Sequence, residues 1–153
     1  MNLKHLFIKS LFILTAVTSL VSCGGGGGGD DDAGVAPQRP TANVSGNAVD
    51  ALIIGATVCP YSWAEAQSGF ARTAGNCVTT DENGFYNLSL QLPDQPIVLR
   101  LEGGHYVEEA SGTNVNLMDG QYMYAAINFV SGHDVSVMIT PLTTLHYGLA
   151  SYR

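Results

Sequence analysis

An all-β fold is what this sequence predicts: a two-sheet antiparallel sandwich of about seven strands, with a short C-terminal helix. Three observations carry that expectation. From about Thr41 apolar and polar residues alternate at period two. Turn residues interrupt these runs at short intervals, and no helical period intervenes before Pro141. Strands of this kind have one wet and one dry face, so a second sheet is needed to cover the dry one.

The elements follow in order. Asn43–Val49, Gly55–Pro60 and Cys77–Thr80 are candidate opening strands. Tyr86, Leu88, Leu90 and Leu92 then alternate with Asn87, Ser89 and Gln91. Ile97, Leu99 and Leu101 alternate with Val98, Arg100 and Glu102, which puts Arg100 and Glu102 on one face. His105–Glu109 and Tyr122–Val130 are further candidates. Val135, Val137 and Ile139 alternate with Asp134, Ser136 and Thr140, although Met138 interrupts the polar face. Between strands, Asp81-Glu82-Asn83-Gly84 and Ser131-Gly132-His133-Asp134 predict hairpin turns, because Asn-Gly tolerates the positive φ of tight connections.

After the last strand, Thr140 suits a helix cap and Pro141 the first helical position. Leu142, Leu145, Leu149 and Tyr152 fall on one helical face. That face predicts either a helix closing one end of the sandwich or a piece of something larger.

Ahead of the sandwich the chain is organised differently. Lys4 and Lys9 precede the apolar run Leu11–Val17, which is too short to cross a bilayer. Residues 1–22 therefore read as an export signal rather than a buried helix. The following Leu20-Val21-Ser22-Cys23 resembles the lipobox of bacterial lipoproteins. That resemblance implies cleavage before Cys23, a diacylglyceryl group on its sulfur and acylation of the new amino group. Without it, the segment is an ordinary signal peptide followed by a coincidental cysteine. Because Gly24 stands where an Asp would resemble an inner-membrane retention signal, the lipoprotein resemblance implies the outer membrane. One myristoyl chain binds a membrane only reversibly, whereas two or three chains make attachment effectively permanent.

Residues 23–40 continue with Gly24–Gly29, Asp30-Asp31-Asp32 and a Pro-containing stretch, and predict a flexible tether. Six glycines lose too much backbone entropy to hold a packed conformation. Such a tether spans roughly 20–25 Å, about a domain width. The three aspartates read as solvating charge rather than a calcium cage.

Composition narrows the partners. Both lysines lie in the leading segment, so from Cys23 onward four arginines face 13 acidic residues, a net charge of −9. Nucleic-acid binding, which depends on neutralising phosphates with Lys and Arg, is excluded on that balance. Direct attraction to an anionic lipid surface is disfavoured for the same reason. The expected membrane contact is the lipid anchor alone.

Within residues 41–140 a second resemblance emerges. Val44-Ser45-Gly46-Asn47-Ala48, Gly55-Ala56-Thr57-Val58 and Thr80-Asp81-Glu82-Asn83-Gly84-Phe85-Tyr86 resemble the carboxypeptidase regulatory-like domains. Those are Ig-like, prealbumin-like sandwiches, and the resemblance implies an accessory role in spacing, docking or binding, with no catalytic residue to carry over. Ile139–Leu145 is also similar to a run that opens a helical region in longer secreted bacterial proteins. The alternative function is accordingly a structural or truncated part of a larger lipoprotein.

With Cys23 assigned to lipid, Cys59 and Cys77 remain as an even pair in an oxidising compartment and predict a disulfide. Two buried free thiols are the alternative. Between them, Tyr61, Trp63, Phe70 and Arg72 are the candidate ligand-contacting residues, since aromatics and arginine are favoured at binding hot spots. The competing reading is that Trp63 and Phe70 fold the segment onto the sandwich. Glycan and protein are the candidate ligands.

Catalysis finds little support. His105, His133 and His146 fall on three different elements, and neither a Gly-x-Ser-x-Gly elbow nor a His-Glu-x-x-His helix is present. Adjacent Glu108 and Glu109 point to opposite faces of a strand. No cofactor or metal is implied, and a hydrolase with a dispersed site is the remaining catalytic alternative.

Overall fold

The computed structural model describes residues 38–152, which lie within one compact unit, Ala36–Arg153. The expected export signal, Cys23 and most of the tether lie outside the described residues.

Alternation builds the first sheet. Strand β1 (Ala42–Asn47) lies between β4 (Phe85–Leu90), to which it is antiparallel, and β9 (Val135–Ser136). Ala42 faces Leu90, Val44 faces Leu88 and Gly46 faces Tyr86, so the inward rows of the two strands coincide. The β1–β9 pair is parallel, a departure from the antiparallel sandwich expected from the sequence. Its cause is the sheet-to-sheet path of the chain. Strand β8 belongs to the other sheet, so β9 enters beside β1 after a crossing instead of a hairpin.

The second sheet has the order β3 (Val78–Thr79), β2 (Thr57–Ser62), β5 (Gln95–Glu102), β8 (Tyr122–Phe129), all antiparallel. A separate ribbon pairs β6 (His105–Val107) with β7 (Asn114–Asn116), a strand the sequence did not signal. Nine strands stand among the described residues where about seven were expected, and β3 and β9 are only two residues long. Between the sheets lies the main core, with Val44, Tyr86, Leu88 and Leu90 from one side and Val58, Ile97, Leu99, Leu101 and Phe129 from the other.

Both expected hairpin turns connect different sheets. At Asp81–Gly84 the local geometry is still a tight turn. The Asp81 carboxylate accepts the backbone N–H groups of Asn83 at 2.8 Å and Phe85 at 2.9 Å, and Gly84 has φ +66°. A side chain at Gly84 would also press on the Ala48 carbonyl at 2.9 Å. At the second turn, Asp134 reaches back to β1. Its carboxylate accepts the backbone N–H of Asn43 at 2.7 Å and the Asn43 amide at 3.2 Å.

Two helices complete the unit. α1 (Trp63–Gln67) follows β2 without a break and is capped by the Ser62 hydroxyl, which accepts the Glu65 N–H at 3.2 Å. It lies in the Cys59–Cys77 segment, where no helix was expected from the sequence. α2 (Pro141–Ser151) begins as expected, with a reciprocal cap between Thr140 and Thr143 and proline in the first turn. Of the two readings the sequence left open for its leucine face, the one in which that face closes the sandwich is not met: Leu142, Leu145, Leu149 and Tyr152 are 75, 59, 65 and 94% exposed. The buried side chain is Tyr147, on the opposite face. Tertiary contacts explain the orientation: the Thr144 hydroxyl accepts the Tyr124 N–H at 2.9 Å on the unpaired edge of β8, which turns Tyr147 toward the sheet. An edge strand that would otherwise present bare N–H groups is thereby covered.

Candidate functional site

The outer face of the second sheet carries the candidate site. Register places Cys59, Arg100 and Tyr124 in one row across β2, β5 and β8, with Tyr61, Val98 and Ala126 in the next. A strand face turned away from the main core is ordinarily wet, yet Cys59, Tyr61 and Val98 are buried here. α1 and α2 cover them, forming a second small core of Ala66, Val98 and Tyr147 with Trp63, Phe70, Tyr124 and Ala126 packed around it.

Aromatic rings make up most of this layer. Phe70 stands edge-on to Tyr61 at 5.0 Å and tilted against Tyr124 at 5.4 Å. Tyr147 meets Tyr124 at 4.8 Å and Trp63 at 5.9 Å. Offset and edge-on pairs of this type add about 0.5–1.5 kcal/mol each beyond area burial. Phe70 holds a left-handed backbone, φ +59°, immediately after Gly69 at φ +99°. The Phe70 N–H donating to the Glu65 carbonyl at 2.8 Å ties that conformation to the end of α1. The ring contacts offset the roughly 1–3 kcal/mol cost of a non-glycine residue there.

Arg100 sits among three of the rings. Its guanidinium carbon is 5.1 Å from the Tyr61 centroid, 5.2 Å from Phe70 and 4.8 Å from Tyr122. Glu102 pairs with it at 3.1 Å, while the Arg100 Nε is buried with no hydrogen-bond partner among the described residues. Stacking on ring faces suits a planar, weakly hydrated guanidinium, where an ammonium would remain poorly placed. Burial raises the Tyr124 phenol above its ordinary pKa, although the nearby Arg100 charge opposes the shift. Burial likewise raises Tyr147.

The disulfide expected from the sequence is present. Cys59 and Cys77 are bonded, with Cα atoms 4.3 Å apart, and Cys77 directly precedes β3. Closing an 18-residue separation removes unfolded-chain entropy worth roughly 3 kcal/mol. It also clamps the two ends of the segment that carries α1 and Phe70.

Of the four candidate ligand residues, the fold brings three into this layer. Tyr61 is buried, Trp63 and Phe70 are half-buried, and Arg72 is exposed outside it. Trp63 borders a groove of about 230 Å³ with Pro96, Ala126, Ile127, Asn128, His146 and Ala150. Sequence reasoning missed Arg100, Tyr122, Tyr124 and Tyr147. The period-two rows of β5 and β8 put Arg100, Tyr122 and Tyr124 on one outer face, but only the register shows that they are neighbours. Tyr147 was hidden by the more conspicuous leucine stripe.

The histidines remain on separate elements: His105 in β6, His133 before β9 and His146 on α2. His133 Nδ1 is 3.3 Å from the Ser131 carbonyl, and the adjacent Asp134 carboxylate is engaged by Asn43. Among the described residues no group of three His, Cys, Asp or Glu side chains is placed to hold a metal ion. Comparison with known proteins finds no protein family, no curated protein and no solved structure that matches this chain.

Proposed function

We propose that the chain is an envelope lipoprotein, anchored to the outer membrane through Cys23, whose sandwich serves as a non-catalytic binding module. The observation that carries this reading is the Cys59–Cys77 bridge. A disulfide persists in an oxidising compartment, which requires export, and its formation leaves Cys23 as the single remaining thiol. Cys23 is also the residue at the end of the lipobox-like segment. A regulatory-like accessory domain that follows a lipid-bearing Cys23 suits a role in docking a ligand near the membrane.

The groove beside Trp63 is the proposed contact point, with a glycan as the ligand. The half-buried Trp63 lines this groove together with Asn128 and His146, so an apolar ring and hydrogen-bonding groups for hydroxyls share one surface. Tyr61, Phe70 and Arg72 do not line this groove.

Mass spectrometry of the membrane-extracted chain tests the anchor. The expected product begins at Cys23 and carries the mass of two or three acyl chains. An unmodified Cys23, or a native chain that partitions into the aqueous phase like its Cys23→Ser variant, overturns it. A glycan array tests the ligand: binding that Trp63→Ala abolishes supports the groove, and absence of binding to any glycan overturns that part of the reading.

A further inference from the structure

The outward stripe on α2 has a spacing that selects its partner. Leu142, Leu145, Leu149 and Tyr152 are separated by three, four and three residues, which is the a–d–a–d seam of a coiled coil. Tyr147, the side chain that α2 buries, occupies the position opposite that seam. The helix is therefore already docked on its own sheet by one face, and it presents a four-residue a–d–a–d seam on the other. A helix that merely lies on its own domain needs no second apolar stripe.

We infer that this seam pairs with the same seam of a second copy, the two α2 helices running antiparallel about a two-fold axis near residue 147. The spacing 3-4-3 reads the same in both directions. Antiparallel pairing thus sets Leu145 against the partner copy's Leu149, and Leu142 against the partner copy's Tyr152. Each a position meets a d position, and every apolar residue finds an apolar counterpart. Self-complementarity of this kind is what a two-fold interface demands.

Charge permits the contact. The chain from Cys23 onward is strongly acidic, yet Pro141–Ser151 contains no Asp, Glu, Lys or Arg. Two copies can approach through this helix without bringing like charges together. The same lack of Lys and Arg argues against a lipid surface as the occupant, since interfacial helices rely on a basic rim. Area sets the strength. Four side chains on one helical face make a small contact, below the roughly 1,000 Å² that stable specific interfaces clear. The pair is therefore weak and reversible.

Disulfide trapping in envelopes of cells expressing the full chain tests the pairing, with the parent chain setting the background. Leu142→Cys and Tyr152→Cys are made separately, then co-expressed, and oxidised before non-reducing electrophoresis. The expected result is a covalent dimer in the mixed population and monomer from either variant alone. Adding Leu145→Glu and Leu149→Glu to both lowers the trapped fraction by roughly tenfold or more. Protease resistance of the glutamate variants, equal to that of the parent, establishes that the loss reflects dissociation. Four results each overturn the inference: no dimer in the mixture, cross-linking within either single-cysteine population, capture of a different protein in place of the second copy, or trapping insensitive to the glutamates.

Discussion

The Tyr86 hydroxyl donates to the Val137 carbonyl at 2.7 Å, tying β4 to the segment that follows β9 across the intervening β1. The ring is buried in the main core, and that burial raises its phenol far above the ordinary tyrosine value. One side chain thus both fills the core and ties the parallel pairing of β1 and β9.

Replacing Tyr86 with Phe keeps the ring and removes the bond. A loss of about 1–2 kcal/mol in urea unfolding is expected at neutral pH, since the Val137 carbonyl loses its hydroxyl donor. Alkaline behaviour follows from linkage. A folded pKa above the unfolded value of about 10 means full stabilisation below pH 10, and loss as pH rises toward the folded pKa. Tyr86→Phe should narrow the stability gap to the parent as pH climbs beyond that point. A gap that widens there contradicts the assignment.

Gly46 makes the same arrangement sterically feasible. A Cβ at this position would overlap the Val137 carbonyl oxygen, while Val137 N–H donates to Ser45 at 2.8 Å. Gly46→Ala is expected to destabilise by roughly 2–4 kcal/mol, because backbone must move and the core offers no slack. Hydrogen exchange at Val137 and Ile139 should accelerate before exchange in β5 does. Uniform acceleration would count against a local cause.

Asp134 anchors the start of β1 through Asn43, and those hydrogen bonds, backbone first and side chain second, hold its carboxyl below the usual range. A depressed folded pKa contributes stability above the unfolded value of about 3.9 and loses it as pH falls through the folded value. Acid titration of Asp134→Asn should therefore show its difference from the parent shrinking below pH about 4. A constant difference down to pH 2 would refute the linkage.

The two faces of α2 yield a sharp contrast. Tyr147→Ala should cost about 3 kcal/mol, since it empties the second core between Trp63, Phe70 and Tyr124. Leu142→Ser, Leu145→Ser and Leu149→Ser should each stay within about 0.5 kcal/mol at concentrations where the chain is monomeric. Chemical denaturation of the four variants distinguishes the two faces directly. Equal costs would restore the inward stripe.

Much of the fold was legible because its signals are local. The alternation in Tyr86–Leu90 specifies which side chains enter the core whatever the partner strand, and Asn83-Gly84 meets a φ requirement within four residues. Cys59 and Cys77 were legible as a pair because setting Cys23 aside for the lipobox-like segment leaves an even number. The missing elements are those without local signatures. β7 is a three-residue strand that exists through pairing with β6, and α1 is a single capped turn after β2. Candidate-site residues divided similarly: Tyr61, Trp63 and Phe70 lie close together in the chain, whereas Arg100, Tyr122, Tyr124 and Tyr147 join them through register and helix docking.

By itself the sequence determined the strand class, the inward rows of β4 and β5, and the start of α2, since period-two burial and capping act within a few residues. Tertiary structure decided which sheet each strand joined, that β9 runs parallel to β1, and which face of α2 meets the sheet. Those choices depend on contacts between residues far apart in the chain, such as Thr144 at the β8 edge and Val137 over Gly46. An amphipathic stripe records that a face is apolar, and only packing assigns what covers it.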